Sequence, residues 1–262
     1  VTQVILITGA SSGIGHATAL AFAKRGANVA VTARRADRLA ELAREIGALP
    51  APHGECLPIT ADVSDGASMQ AAVDQTMERF GRLDVLVANA GVGQRGALVE
   101  SDWNDIDTLL RTNIDGLLHS IRASIPALRK SGSGHIVIVS SIAGSTVTPY
   151  TAVYGASKAF ASSLARSLSL ELEADHISVT NLVIGPVNTE FSSSRLGEKG
   201  HAAQAAKLPT MSADQVAEGI LRATDQRSKN ATLRLFDRLV LLASTFAPYA
   251  IGRQALKRYK TN

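Results

Sequence analysis

Six short apolar runs recur along this chain, and stretches with helical periodicity separate them. The runs are VILIT (Val4–Thr8), VAVTA (Val29–Ala33), CLPIT (Cys56–Thr60), LDVLVA (Leu83–Ala88), HIVIVS (His135–Ser140) and ISVTNLVI (Ile177–Ile184). Runs such as HIVIVS lack the polar alternation of a half-exposed strand, so they suit strands buried on both faces. Helices are expected at 13–25, 36–47, 65–80, 101–129 and 152–174. Parallel strands can be joined only by a crossover, and a helical crossover returns the chain along a sheet face. The expected fold is therefore α/β: one doubly wound parallel sheet of about seven strands with helices on both faces. ATLRLF (Ala231–Phe236) is the candidate for a seventh strand.

A chain of 262 residues, 45% of them hydrophobic, buries roughly three-quarters of its unfolded surface and needs no disulfide or metal to hold it. The single cysteine, Cys56, excludes an intramolecular disulfide and is read as a small buried apolar side chain. No fixed-period repeat or low-complexity segment is present, and 46–56 (IGALPAPHGEC) reads as a surface connection. The net charge of +4 is uneven: residues 227–262 carry eight Lys or Arg against Asp237 alone, and the preceding 226 residues sum to −3. A body of that charge gives no case for nucleic-acid binding. The chain enters an apolar strand pattern at once, without a secretory signal, and a cytoplasmic protein is expected. Its first residue is Val rather than Met, which leaves room for a leader ahead of it.

TGASSGIG (Thr8–Gly15) follows the first strand and opens the first helix. Glycines at such a turn let a backbone approach a pyrophosphate, while the helix N-terminus offers free N–H groups and partial positive charge. The contacts expected there are Gly9, Ser11, Ser12, Gly13, Ile14 and Gly15. At the end of the second strand an acid would bind the 2′-hydroxyl of NAD, whereas an arginine accommodates the 2′-phosphate of NADP. Here the chain reads Ala33–Arg34–Arg35. Arginine suits phosphate through planar, multidentate hydrogen bonds, so Arg34 is assigned to the 2′-phosphate. Arg35 serves equally well as a phosphate ligand or as a solvated residue at the start of the next helix. The expected cofactor is NADP(H), preferred over NAD(H).

Tyr154 and Lys158 stand four apart in YGASK, on one face of a helical run. An ammonium beside a phenol favours the phenolate and brings proton transfer closer to neutral pH. Ser141, just past the fifth strand, can hold a substrate oxygen opposite the tyrosine. Asn113 lies in the long helical stretch, where by itself it would be a solvent-facing polar residue. His16, His53, His119, His135, His176 and His201 show no ligand-like pairing, and no metal is expected.

Together these residues resemble the short-chain dehydrogenase/reductase family. The first turn matches its T-G-x-x-x-G-[IL]-G, and Asn113, Ser141, Tyr154 and Lys158 match its tetrad one by one. The match runs from Thr8 to Thr189. The resemblance implies a single Rossmann-type domain and hydride transfer between a nicotinamide cofactor and a carbonyl carbon. It makes Tyr154 the proton donor or acceptor and gives Ser141 the task of orienting the carbonyl oxygen. Lys158 would lower the tyrosine pKa and hold the nicotinamide ribose, and Asn113 would anchor a water in a proton relay. It adds Asp62 and Val63 at the adenine, and gives Asn89, Ala90 and Gly91 the task of bracing the sheet beside the cofactor. Asp62 also has a plain reading as part of a helix cap, shared with Ser64 and Asp65. After the sixth strand, VIGPVNT keeps Gly185, Val187 and Thr189, with Val187 and Thr189 near the nicotinamide, but places Ile184 where the family usually has proline.

The segment 190–212 is polar and rich in small residues, and reads as a loop over the substrate. Residues 1–235 would form the catalytic domain and 236–262 an atypical C-terminal helical extension. That extension is apolar over Leu239–Gly252 and basic beyond, with Arg253, Lys257, Arg258 and Lys260. Its plain reading is a helix over the core or a dimer contact; the second is peripheral membrane attachment. The substrate is expected to be a moderately apolar ketone, aldehyde or secondary alcohol, and the protein a homodimer or homotetramer. The alternative function is a cofactor-sensing binding protein that has lost turnover, against which the intact tetrad argues.

Overall fold

The computed structural model describes residues 2–197 and 210–260, with side chains to residue 257. Seven strands form the central sheet: β1 (Val4–Thr8), β2 (Asn28–Ala33), β3 (Cys56–Thr60), β4 (Val85–Ala88), β5 (His135–Ser141), β6 (Ser178–Ile184) and β7 (Asn230–Thr232). Their spatial order is β7-β6-β5-β4-β1-β2-β3. Every pairing is parallel, with Leu6 opposite Ala30 on one side and Leu86 on the other. The chain reverses its direction of travel across the sheet between β1 and β4. A crevice opens outside the carboxyl ends of strands at such a switch point.

The helices that flank this sheet are α1 (Gly13–Lys24), α2 (Ala36–Gly47), α3 (Gly66–Phe80), α4 (Trp103–Leu110), α5 (Gly116–Ser131), α6 (Ala152–Glu171) and α7 (Ala213–Gln226). The period-2 alternation of the strands divides the core. On one face Leu6, Leu86 and Ile136 pack against Met69 and Val73 of α3, Ile121 and Leu128 of α5, and Ala161 of α6. On the other, Ile5, Ile7, Val87 and Val137 pack against Phe22 of α1, Leu42 of α2, and Val216 and Ile220 of α7. Local chemistry fixes the helix starts. Asp65 caps α3 by accepting from the Ala67 N–H at 2.9 Å, and Ser212 and Gln215 form a reciprocal capping box on α7. Cys56 packs against the second half-core, where burial and then the Glu55 charge push its thiol up to about 12, so it stays protonated.

Three expectations change. The stretch 101–129 is not one helix: α4, capped by Asp102, runs into a π-turn at Arg111–Asp115 before α5 begins. The seventh strand stops at Thr232. The rest of ATLRLF turns into a helix, α8 (Leu235–Phe246), because Arg234 forks onto Asp237 with bonds of 2.8 and 2.7 Å and closes the first turn. A further helix, α9 (Pro248–Lys260), leaves α8 at a bend of 113°. Of the loop 190–212, residues 198–209 lie outside the described residues. Its near end folds back on the body, where Leu196–Gly197 pairs with Gln94–Arg95.

Candidate active site

The crevice at the switch point is a cleft of about 850 Å³. The glycine turn forms its floor. Gly9 and Gly13 have φ of +69° and +56°, the left-handed region that glycine enters without strain. A Cβ on Gly9 would lie 2.8 Å from Ala90 Cα, and one on Gly13 would lie 3.2 Å from Thr189 Cβ. Side chains there would fill the cradle, so the turn fits a group that needs close backbone approach. Gly9, Ser11, Ser12, Gly13 and Ile14 all line the cleft. Gly15 does not; it sits beneath the turn, where a Cβ would meet Gly9 O at 2.5 Å.

At the next strand end Ala33 carries no charge, and Arg34 and Arg35 rim the cleft. Arg35 is tied down: its guanidinium donates to Ser11 Oγ at 3.1 and 2.9 Å and to Ser12 Oγ at 2.9 Å, and it pairs with Glu190 at 3.4 Å. Arg34 is exposed beside Asp62. Burial opposes ionisation of Asp62, but the Ser64 N–H and hydroxyl bonds and the Arg34 charge bring its carboxyl below the usual range. Asp65 takes the α3 cap, so Asp62 and Val63 are left facing the cleft.

Asn89 braces the sheet here. Its Nδ2 donates to Thr8 O at 2.9 Å, and the Asn89 and Ala90 N–H groups both donate to Thr8 Oγ1 at 3.1 Å. These bonds lock the ends of β1 and β4 together across the switch point. Gly91 then passes so close to Asn113 and Lys158 that a Cβ would lie 3.2 Å from Asn113 Oδ1 and 3.6 Å from Lys158 Nζ.

Ser141, Tyr154 and Lys158 meet in the same cleft. Ser141 ends β5, and its Oγ accepts from the Ala143 N–H at 3.2 Å while hydrogen-bonding Tyr154. Tyr154 and Lys158 lie one turn apart on α6, which is anchored to the sheet by a chain of hydroxyls. Ser140 Oγ donates to Lys158 O at 2.9 Å and meets Ser162 Oγ at 2.7 Å; Ser162 in turn reaches Asn181 at 3.2 Å. Lys158 Nζ donates to Val139 O at 3.0 Å, and burial lowers its pKa to about 8. Burial raises the Tyr154 phenol above its ordinary value, against the lowering effects of the Ser141 hydrogen bond and the Arg195 charge. The expected lowering of the tyrosine by Lys158 is not among these influences; desolvation of both groups dominates the site.

Asn113 lies behind the cleft, in the π-turn. Its Oδ1 accepts from Val92 N–H at 2.8 Å, and its Nδ2 donates to Val92 O and Ser157 Oγ at 3.0 Å each. Val187 and Thr189 line the same cleft as Tyr154. Beside them, Gly185 packs so tightly on the Arg234–Asp237 pair that a Cβ would collide with both partners. The turn that follows Ile184 thus packs on an ion pair between Arg234 and Asp237 of the C-terminal extension.

The sequence did not single out Phe191, Arg195 or Ala255, which complete the cleft wall. Phe191 tilts over Tyr154 with ring centroids 5.8 Å apart. No motif marks these residues, because each reaches the cleft through tertiary folding and not through a local pattern.

The family model for short chain dehydrogenases matches residues 3–199. A sulfoacetaldehyde reductase from Chromohalobacter salexigens is 37% identical over 225 residues, covering 83% of this chain and 86% of its own. A short chain dehydrogenase/reductase from Burkholderia phymatum, solved in complex with NAD, superposes with a TM-score of 0.86 at 26% identity and 95% coverage of both chains. A short-chain dehydrogenase from Sphingobium yanoikuyae, solved in complex with NADPH, gives 0.78 at 29% identity, covering 97% of this chain and 94% of its own.

Proposed function

The chain belongs to the short-chain dehydrogenase family and is an oxidoreductase of that class, and from this membership we propose that it is an NADP(H)-dependent reductase of ketones or aldehydes, able to run in reverse on secondary alcohols. The observation that carries the reading is the meeting of Ser141, Tyr154 and Lys158 in one cleft with the Gly9–Gly13 turn.

The turn with Ser11, Ser12 and Ile14 holds the pyrophosphate, Asp62 and Val63 the adenine, and Val187 and Thr189 the nicotinamide end. Arg34 and Arg35 favour a 2′-phosphate, because no acid stands at the end of β2 to claim a free ribose hydroxyl. The bound nicotinamide cofactor supplies or accepts the hydride. Ser141 donates a hydrogen bond to the substrate carbonyl oxygen and holds it beside Tyr154. Tyr154 then delivers its proton to that oxygen as negative charge develops there. Lys158 stabilises the resulting phenolate and binds the ribose. With its side chain spent on Val92 and Ser157, Asn113 anchors the relay water through the backbone of the π-turn.

Residues 1–235 are read as the catalytic domain, with 190–212 as its substrate loop and 236–262 as an extension. The substrate is moderately apolar. The assembly is a cytoplasmic homodimer or homotetramer that meets a membrane peripherally through its extension.

Oxidation of NADPH over a panel of carbonyl compounds tests the reading. Turnover should fall by about 10³-fold or more in Tyr154→Phe, as expected when the proton donor is lost. Arg34→Ala should raise KM for NADPH by about 10- to 100-fold with little change for NADH, the cost of a charge-assisted phosphate contact. A Tyr154→Phe enzyme with wild-type turnover, or equal effects of Arg34→Ala on both cofactors, would refute the respective assignment.

A further inference from the structure

The C-terminal extension has two faces. Inward, it belongs to the cleft. Gly252 of α9 is buried against Val147, so closely that a Cβ would lie 2.6 Å from Val147 Cγ1. Three residues on, Ala255 lines the cleft with Thr146 and Thr148. At the other end α8 meets the body where the buried Asp237 of its first turn, paired with Arg234, packs on Gly185.

Outward, α8 presents a stripe at helical spacing that none of the described residues covers: Leu235, Leu239, Leu242 and Phe246, exposed by 71%, 55%, 58% and 81%. Tyr249, 73% exposed, continues it past the bend. Contiguous apolar surface of this kind marks a contact with a partner or a lipid phase. Its borders are basic. Arg238 is exposed on α8, and the outward face of α9 runs Tyr249, Arg253, Lys257 at intervals of four. No Asp or Glu follows Asp237 to the chain end. Among the described residues no single helix is long and apolar enough to cross a membrane. The α8–α9 pair is long and apolar enough only when taken together across its bend, and with Asp237, Ser244 and Gly252 buried against the body it suits lying along an interface.

We propose that this outer face seats the protein on an anionic lipid bilayer, and that the cleft behind it takes an apolar carbonyl compound dissolved in that bilayer. The charge decides against a second copy. A two-fold contact sets the same patch against itself and opposes Arg238 and Arg253 to their equals, in a stretch with no Asp or Glu after Asp237. The α8 stripe is also small for that purpose: twelve residues span about 18 Å on a helix about 10 Å across, a face of about 180 Å² against the roughly 800 Å² per partner that a stable dimer buries. Anionic headgroups complement the basic rim while acyl chains take the stripe. Among the described residues α9 reaches both phases, with its outward side in the headgroups and Ala255 in the cleft. The seating stands on the surface alone; the substrate class rests on the reductase reading.

The full chain is sedimented with vesicles of phosphatidylcholine, with and without phosphatidylglycerol, beside a Leu239→Glu/Leu242→Glu/Phe246→Glu variant. The wild type should pellet with the anionic vesicles at least about tenfold better than with neutral ones, and the variant should stay in solution. The variant's unchanged thermal unfolding and NADPH binding show that it is folded. Failure of the wild type to bind anionic vesicles overturns the proposal, as does a wild-type dimer that the variant dissociates without any vesicle binding. Reduction of 2-tridecanone carried in anionic vesicles should fall about tenfold in the variant, while propanal reduction in solution is kept. Equal rates on 2-tridecanone overturn the substrate class. Vesicle binding with neither carbonyl reduced would instead remove the reductase reading and leave the seating intact.

Discussion

Lys158 is held at a cost that its chemistry demands. Burial lowers its pKa from the ordinary value of 10.5 to about 8, so keeping it charged at pH 7 takes about 3 kcal/mol from folding. The unfolded chain retains this proton to higher pH than the folded one. Stability of the cofactor-free protein should therefore rise between about pH 8 and 10.5, while reductive turnover falls as the ammonium is lost. Opposite slopes in thermal melts and in an activity profile would check this. Lys158→Met removes the charge and also the bond to Val139 O, for a net gain of about 2 kcal/mol. Its Tm should accordingly be higher by about 4–8 °C, in an inactive protein. A lower Tm would show that the hydrogen bond outweighs the desolvation. The residues of this site were readable because their chemistry is rigid in type and spacing: a phenol and an amine one helical turn apart, a hydroxyl at a strand end. Asn113 was legible as a member of the set, but its bonding was not. Its partners, Val92 and Ser157, come from a loop and another helix and leave no mark in the local pattern.

Among the elements, those stabilised by their own periodicity were the legible ones. The first six strands stand within two residues of the apolar runs, since a strand buried on both faces must be apolar along its length. The break of 101–129 was not legible, because a π-turn inserts one extra residue per hydrogen-bonded ring without changing composition. Nor was the start of α8. ATLRLF has strand composition, and only the pairing of Arg234 with a fully buried Asp237 ends β7 early and begins a helix. That pair also underlies the Gly185 loop of the cleft, so its loss should be felt twice. Asp237→Ala strands a largely buried guanidinium and should cost about 3 kcal/mol in chemical denaturation, with a weaker grip on NADPH. Replacing both partners, Arg234→Met with Asp237→Leu, should restore most of the stability. If the double variant is no better than the single one, the pair matters for shape and not for charge.

In the whole molecule, the doubly wound parallel sheet followed from the alternation of apolar runs and helical stretches, because parallel strands must be joined by crossovers, but its strand order did not. The closure of the cleft was not legible either, because it depends on where segments without a motif come to rest: Phe191 over Tyr154, and α9 against Val147. The sheet has another effect on this protein, one that concerns inheritance and not catalysis. Since Leu6 faces α3, α5 and α6 while Ile5 and Ile7 face α1, α2 and α7, neighbouring residues of one strand answer to different sets of partners. Substitutions at Leu6 and Leu86, which stand opposite each other on one face, should couple by about 0.5–3 kcal/mol in a double-mutant cycle, whereas Leu6 with Val87 should add to within about 0.5 kcal/mol. Each half-core can then drift through its own compensating changes with little regard for the other. A lineage carrying this fold explores two smaller packing problems in parallel, and only the residues at the strand ends, where the halves share a cleft, must change in concert.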